Sequence, residues 1–363
     1  MEQVELRHWL ALSHINIGAN KLLAFLEAGN SLARLFELSD QSLQEHGFRP
    51  GLAKKLDSVT DELIDQDLEW FDSDFKHLIP ITSKDYPALL KEIPDPPKLL
   101  FVHGDKSLLK AHQIAIVGSR NPTAQGKENT REFAKTLASA GAVITSGMAL
   151  GVDGIAHQAA LDKGQPTIAV VGTGLDRIYP ARHKELAIQI SQQGALVSEF
   201  PLGTPVKASN FPVRNRIICG MSLGTLVVEA AIRSGSLITA RLAMEQGREV
   251  FAIPGSIHNT LARGCHSLIK QGAKLVETAE EIIEELGALA AWQTEHNQQD
   301  EPQEFVLEKE YQDMLEFVDD STTSVDTIIQ RSGLEIEVVS HMLLLLELNN
   351  YIASVPGGYQ RVR

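Results

Sequence analysis

Residue types with the capacity for chemistry gather in "GSRNPTAQG" (118–126), "SGMALGVDGIAH" (146–157), "GTGLDRIYP" (172–180), "SEFPLGTPVKASNFPVRNR" (198–216) and "EAAIRSGSLITA" (229–240). Glycines let backbone N–H groups approach an anion closely, and helix N-termini after Gly151 and around Ser236 add the positive end of a dipole. Gly118, Gly147, Gly151, Gly172, Gly174 and Ser236 are the residues expected to cradle that anion. Arg120, Arg214 and Arg216 supply forked donors that match phosphate oxygens, so the chemistry points to a phosphate-bearing ligand. Phe211 adds a face for a nucleobase, and stacking is worth ~1–3 kcal/mol per base. Rings beside arginines hold a single strand without reading its sequence. The competing reading is structural, with glycines that allow packing and Phe211 as a buried wedge.

Other chemistries fail on spacing. Gly118 and Gly126 are too far apart for a Walker loop, and Lys127 is followed by Glu128. "GTGLD" lacks the third glycine of a dinucleotide fingerprint. No GxSxG elbow surrounds Ser146, Ser198, Ser234 or Ser236. Asp153 and His157 stand four apart on an expected helix, where a core contact is favoured over two metal ligands without companions. Glu229 ends an expected strand, either as a catalytic carboxylate or as a partner for Arg214 or Arg216. No catalytic residue, metal or cofactor is therefore expected.

The elements that must position these residues follow from composition and pattern. The chain has 363 residues, 43% of them hydrophobic, enough for two or three domains with large cores. Its formal charge of −14 argues against nucleic-acid affinity over the whole surface, so any cationic site must be local. No apolar run approaches the ~20 residues of a membrane span. The first residues lack the basic stretch of a signal peptide, and Cys219 and Cys265 lie outside any CxxC, so buried thiols in a reduced cytoplasm are expected.

Residues 1–75 read as a helical module in which "INIGANKLL" and "FRPGLAKKL" loosely resemble the glycine turns of helix-hairpin-helix (SAM-like) units; a bundle that only packs is the alternative. Ser39 is expected to cap one helix. A short strand follows "IPDPP", and then "QIAIVG", "AVITSG", "TIAVVG", "ALVSEF", "TLVVEA", "EVFAIPG" and "AKLVE" read as strands. Helices are expected over 126–141, 151–164, 182–193, 236–247 and 263–272. This alternation specifies an α/β domain over 76–287, a mostly parallel sheet covered on both faces, with ligands outside the carboxyl ends of its strands. The segment from Phe211 to Ala230 reads as two arginines at the mouth of a buried strand. A Gln-rich linker is expected over 288–304, and three helices with a hairpin over 305–363 give a winged-helix plan.

The loops quoted above, with "SEFPLGT", "FPVRNRIICG", "GREVFAIPG" and "GCHSLIKQGAKLV", resemble those of the DNA-processing protein A (DprA/Smf) family, densely from Ile79 to Glu285. The resemblance implies an extended Rossmann-like domain that binds single-stranded DNA and has no known enzymatic activity. It also implies protection of incoming DNA in natural transformation, loading of the RecA recombinase, and a cytoplasmic homodimer joined through the Rossmann-like domain, for which "GCHSLIKQGAKLV" is a candidate surface. Ser119, Arg120, Phe211, Arg214, Asn215 and Arg216 would contact DNA, with Lys184 and Lys207 as further cations. The family often has Asn where this chain has His183 and His266. A more distant likeness is to nucleoside-monophosphate phosphoribohydrolases, but "GTLVVE" holds one residue too many before Glu229 for their GGxGTxxE signature. A nucleotide-sensing module is the third reading.

From residue 288 on, four bases (Lys309, Arg331, Arg361 and Arg363) meet fourteen acids, including Asp319, Asp320, Glu335 and Glu337, a net charge of about −10. Phosphate contacts need cations. The winged helix is thus expected to serve protein contacts or regulation, and the isolated segment 300–363 should not retard duplex DNA in a gel at moderate salt; a clear shift would refute this.

Overall fold

The computed structural model describes residues 3–71, 73–287, 309–319, 322–334, 336–348, 351–355 and 357–361; the linker expected over 288–304 lies outside them. Residues up to 287 pack as one unit and the described residues from 309 as a second. The first unit begins with α1 (Gln3–Ser13), α2 (Ala19–Glu27), α3 (Leu32–Glu37), α4 (Asp40–Glu45), α5 (Leu52–Asp57) and α6 (Asp61–Trp70). Ser31, Ser39 and Thr60 each cap the following helix by accepting a first-turn N–H, which satisfies a donor the helix itself cannot. In the second glycine turn the N–H groups that would meet a phosphate are already engaged by a carboxylate. The Asp40 carboxylate accepts from Gly51 N at 2.9 Å and Ala53 N at 3.3 Å, and the Gly51 N–H above all holds Asp40 below the usual carboxylate range.

A sheet follows: β1 (Lys76–Pro80), then the short α7 (Ala88–Lys91), β2 (Leu99–Gly104), β3 (Gln113–Val117), α8 (Ala124–Ser139), β4 (Val143–Ser146), α9 (Val152–Leu161) and β5 (Thr167–Val170). The chain continues through α10 (Lys184–Gln193), β6 (Ala195–Ser198), α11 (Asn210–Gly220), β7 (Gly224–Val227), α12 (Gly235–Glu245), β8 (Glu249–Ala252), α13 (Arg263–Lys270) and β9 (Lys274–Leu275). The nine strands run β1-β2-β6-β5-β4-β3-β7-β8-β9. Neighbours from β6 to β9 are parallel, and β2 joins β6 antiparallel with β1 beyond it. Alternate residues face opposite layers. Ile114 and Ile116 pack with Phe133 and Leu137 of α8, whereas Ala115 and Val117 share the other core with Ile217 and Ile218 of α11. The helical module belongs to that second core, where Trp9, Leu22 and Leu35 join Leu78 and Phe101 of the antiparallel edge.

Strand order reverses at β3, with β4 to β6 built to one side and β7 to β9 to the other. The loops after β3 and β7 therefore part, which is the switch point of a doubly wound, Rossmann-like sheet.

One expected element is wrong in kind. Arg214 and Arg216 do not stand at a strand mouth; Asn210–Gly220 is a helix, and only Gly224–Val227 enters the sheet. The apolar run Ile217–Ile218 is buried on α11, and a short buried run of this sort satisfies either period. Strand β1 is a further element beyond those the pattern predicts, paired antiparallel with β2.

The second unit comprises α14 (Lys309–Glu316), α15 (Val325–Ser332), α16 (Ile336–Leu348), β10 (Ile352–Val355) and β11 (Gly358–Arg361). The hairpin pairs Ile352 with Arg361 and Val355 with Gly358, Thr323 bridges to Tyr359, and Met314, Ile328, Leu343 and Ile352 form the core. This is a winged helix. Among the described residues no helix is long and apolar enough to cross a membrane.

The helical module is pinned to the sheet by Lys98, whose ammonium donates to the Ile15 carbonyl at 3.0 Å. Burial pulls its pKa from 10.5 to about 8, opposed by Glu199 and assisted by Arg216. Below about 8 both states hold the proton and the folded chain bears a buried charge; between about 8 and 10.5 only the unfolded chain holds it. Stability gains with pH wherever the unfolded state binds more protons. Relative to Lys98→Met, the unfolding free energy of the parent should rise by about 3 kcal/mol across that window. A flat difference in urea titrations would show that Lys98 is solvated.

Candidate nucleic-acid interface

Between the carboxyl ends of β3 and β7 the parted loops leave a basin of about 700 Å³. Its walls are Gly118 to Asn121 after β3, one face of α11, and the start of α12 around Ser236. Helical periodicity turns Phe211, Arg214, Asn215 and Ile218 toward it together. The exposed Arg120 guanidinium lies 6.0 Å from the centre of the Phe211 ring, and the Tyr179 ring stands 5.8 Å away on another side, tilted by 43°. A cation and two rings thus meet at one opening.

Arg214 is the fixed charge beneath them. It is 4% exposed, and its Nη1 donates to the Gly147 carbonyl at 2.6 Å and to the Val170 carbonyl. Those acceptors lie at the carboxyl ends of β4 and β5. A Cβ on Gly147 would stand 2.6 Å from this guanidinium, so only glycine fits. Burial lowers Arg214 to about 10, with Asp153 opposing the shift, and it stays charged at neutral pH. Asp153 accepts from Gly147 N at 3.1 Å and Ala149 N at 3.3 Å; burial raises its pKa against the pull of Arg214. This carboxylate ties down the loop in which Met148 adopts φ 61°.

The other expected site residues divide. Ser119, Gly118 and Ser236 line the basin, with the Ser119 hydroxyl accepting from Asn121 N at 3.1 Å. Lys184 and Lys207 are exposed but do not line it; beside Lys207, Val206 and Ala208 do. Arg216 is misplaced by the strand reading. Two positions on from Arg214 in a helix, it points away, ion-paired to Glu199 and 3.6 Å from Asp95, with its side chain 14% exposed.

Nor do all the glycines cradle an anion. Gly147 N–H goes to Asp153 and Gly174 N–H to the Thr204 carbonyl. The first turn of α9 is spent internally too, Val152 N on the Ser119 carbonyl and Gly154 N on the Ala149 carbonyl. Gly151, at φ +83°, lets this turn pass the Ser119 and Arg120 carbonyls, while Gly118 admits Val152 and Gly172 lies against Phe211. These are close-packing roles.

Asp153 and His157 do not form a metal pair. His157 Nδ1 bonds the Thr167 hydroxyl at 2.7 Å, and burial pulls its pKa down to about 3, so it is neutral. Among the described residues no group of three His, Cys, Asp or Glu side chains could hold a metal. Glu229 orients neither arginine; it accepts from Thr123 N at 2.9 Å and Thr123 Oγ1 at 2.7 Å at the start of α8, where a carboxylate suits the helix dipole. Cys219 and Cys265 are buried, their thiols pushed up to about 12 by burial. His183 and His266 bond the Met148 and Gly255 carbonyls, each at 3.0 Å. Sequence reasoning missed Tyr179 and Asn210, whose side-chain amide donates to the Gly172 carbonyl at 2.9 Å and seats the start of α11. The aromatic in "DRIYP" was the available signal for Tyr179.

Fold and site together define a Rossmann-like protein with a ring-and-cation basin at its switch point. Residues 77–287 match the family model of DNA recombination-mediator protein A, and residues 298–358 that of the DprA winged helix domain. The chain belongs to the DprA/Smf family. It is 47% identical over 324 residues to Protein Smf of Escherichia coli (strain K12), covering 88% of this chain and 87% of that one. The X-ray structure of DNA processing protein A from Streptococcus pneumoniae is similar with a TM-score of 0.69 and 38% identity, over 77% of this chain and 97% of that one. A Helicobacter pylori DNA processing protein A, solved for its single-stranded DNA binding mode, gives 0.52 and 36% over 56% and 94%.

Removing Arg216 leaves Glu199 buried without its partner, a loss that typically costs 3–5 kcal/mol. Arg216→Ala should therefore lower the urea unfolding free energy by about that much. A change smaller than about 1 kcal/mol, typical of an exposed pair, would mean that its guanidinium is free to face a ligand.

Proposed function

We propose that this chain binds single-stranded DNA in the basin, protects it without cutting it, and loads the RecA recombinase onto it in natural transformation and DNA recombination. The observation that carries this reading is the gathering of Arg120, Arg214, Phe211 and Tyr179 at one opening of a chain whose net charge is −14. Arg120 reaches for phosphate, Arg214 supplies a fixed positive floor, and the rings take bases, an arrangement that suits any sequence. The single-stranded DNA binding mode of the Helicobacter pylori relative supports it.

In this reading residues 1–75 form a helical module, 76–287 the DNA-binding domain and 305–363 a winged helix whose acidic surface meets protein rather than DNA. Two copies join through the sheet domain, with Arg263–Lys270 and the exposed edge strand β9 as the candidate surface, and the joined basins strengthen the hold on long strands by avidity. The buried thiols fit a reduced cytoplasm. The phosphoribohydrolase reading loses its carboxylate, since both Glu229 oxygens are engaged by Thr123.

Fluorescence anisotropy with single- and double-stranded oligonucleotides tests the proposal. Oligo-dT should bind in preference to duplex, and log affinity should fall against log salt by about 0.7 per phosphate contact. Arg120→Ala and Phe211→Ala should each weaken binding, the latter by ~1–3 kcal/mol for one stacked base, whereas folded Arg216→Ala should not. A flat salt response, or tight mononucleotide binding with no affinity for oligonucleotides, would overturn the reading, the latter in favour of a nucleotide sensor.

A further inference from the structure

Arg120 also lines a second depression, of about 670 Å³, between α8, α9 and the turn before α10. Lys127 and Arg131 of α8 and Arg182 of the turn line it, with the amides of Gln158 and Gln189. Arg120 and Asn121 line both hollows, so one cation borders the two. Its acids are Asp162, which accepts from Gln158 Nε2 at 2.9 Å, and Glu185; Arg131 is engaged by Glu128 at 2.9 Å. Arg120, Lys127 and Arg182 have no carboxylate within ion-pair distance among the described residues, and all are exposed. His183 closes the wall between α9 and α10, its ring 2.5 Å from where a Cβ on Gly154 would stand and its Nδ1 on the Met148 carbonyl.

Free cations are unusual in a chain with more acids than bases, where they tend to find partners. Here three line a single depression. No Phe, Tyr or Trp lines the second depression, and its one ring, His183, is packed against Gly154 and bonded to the Met148 carbonyl, so it offers cations and amides to a backbone.

We propose that this groove is a phosphate track: a single strand leaving the basin passes Arg120 and lays its next phosphates on Lys127 and Arg182, bases outward. The proposal rests on the single-strand reading above and extends it. The basin grips rings and phosphates, and the groove grips phosphates alone. Footprint and salt sensitivity therefore grow with strand length, while base identity in the groove is irrelevant.

The test uses the full chain and the double variant Lys127→Gln/Arg182→Gln, whose positions are exposed and whose side chains hold no partner among the described residues. Two oligo-dT probes of about 5 and 15 nucleotides bracket the ~4–16 nucleotide sites of single-strand binders. The variant should bind the short probe as the parent does. It should bind the long probe at least about fivefold more weakly, with a salt slope shallower by about 1.4, from ~0.7 for each of two lost phosphate contacts. A long probe whose bases are removed at one end should keep its affinity for the parent and lose affinity for the variant. If the parent binds the short probe and the variant matches it on the long one in both affinity and slope, the groove carries no phosphates and the proposal falls while the basin stands. If the parent binds neither probe, the single-strand reading itself fails.

Discussion

One buried arginine organises the upper face of this sheet. Arg214 places its guanidinium against the Gly147 and Val170 carbonyls, at the carboxyl ends of neighbouring strands. Burying a charge costs several kcal/mol unless it is bonded and balanced. Those carbonyls bond it, and Asp153 balances it while holding the loop that supplies one of them. With Arg214 anchored, α11 has one rotation available: Phe211 and Asn215 look into the basin and Arg216 looks back at Glu199. Gly147 completes the lock because no side chain fits beside the guanidinium.

The cations of this acidic chain consequently do different work. Arg214 is a fixed charge below the surface and Arg120 a reaching one above it. Arg216 and Lys98 share a buried cluster with Glu199, near the contact between helical module and sheet, and belong to folding rather than to the basin. A field that draws a polyanion into one opening needs only a few uncompensated cations there, provided the rest of the surface repels. The net charge of −14 supplies that repulsion.

The glycine-rich loops carry a related lesson. Their composition suggests N–H cradles, yet the N–H groups of Gly147 and Gly174 are spent on Asp153 and Thr204, and those of Val152 and Gly154 in the first turn of α9 on loop carbonyls. Gly118 and Gly151 allow loops and helix to approach so closely that the turns after β3 and β4 nest together. The exposed cation at the opening is Arg120. The glycines contribute by making the basin walls thin.

Much was legible in the residues alone. Alternating short apolar runs and helices gave the parallel sheet, because a strand buried on both faces reads as a continuous apolar run. The carboxyl-end rule pointed to loops that the structure gathers around the basin, and Arg120 with Phe211 stood out by chemistry before any geometry. What the residues left open was the period of 210–220. In a strand Arg214 and Arg216 would share a face; in the helix that forms they oppose each other, and Arg214 and Phe211 share one instead. A run as short as Ile217–Ile218 suits both periods, so packing decided: Ile217 and Ile218 fill the sheet's second core, and the carbonyls of β4 and β5 wait for the guanidinium. Types and order of residues determined the fold class and the chemistry of the site. Only the tertiary structure decided which cation faces the basin, because that depends on contacts between segments far apart in the chain.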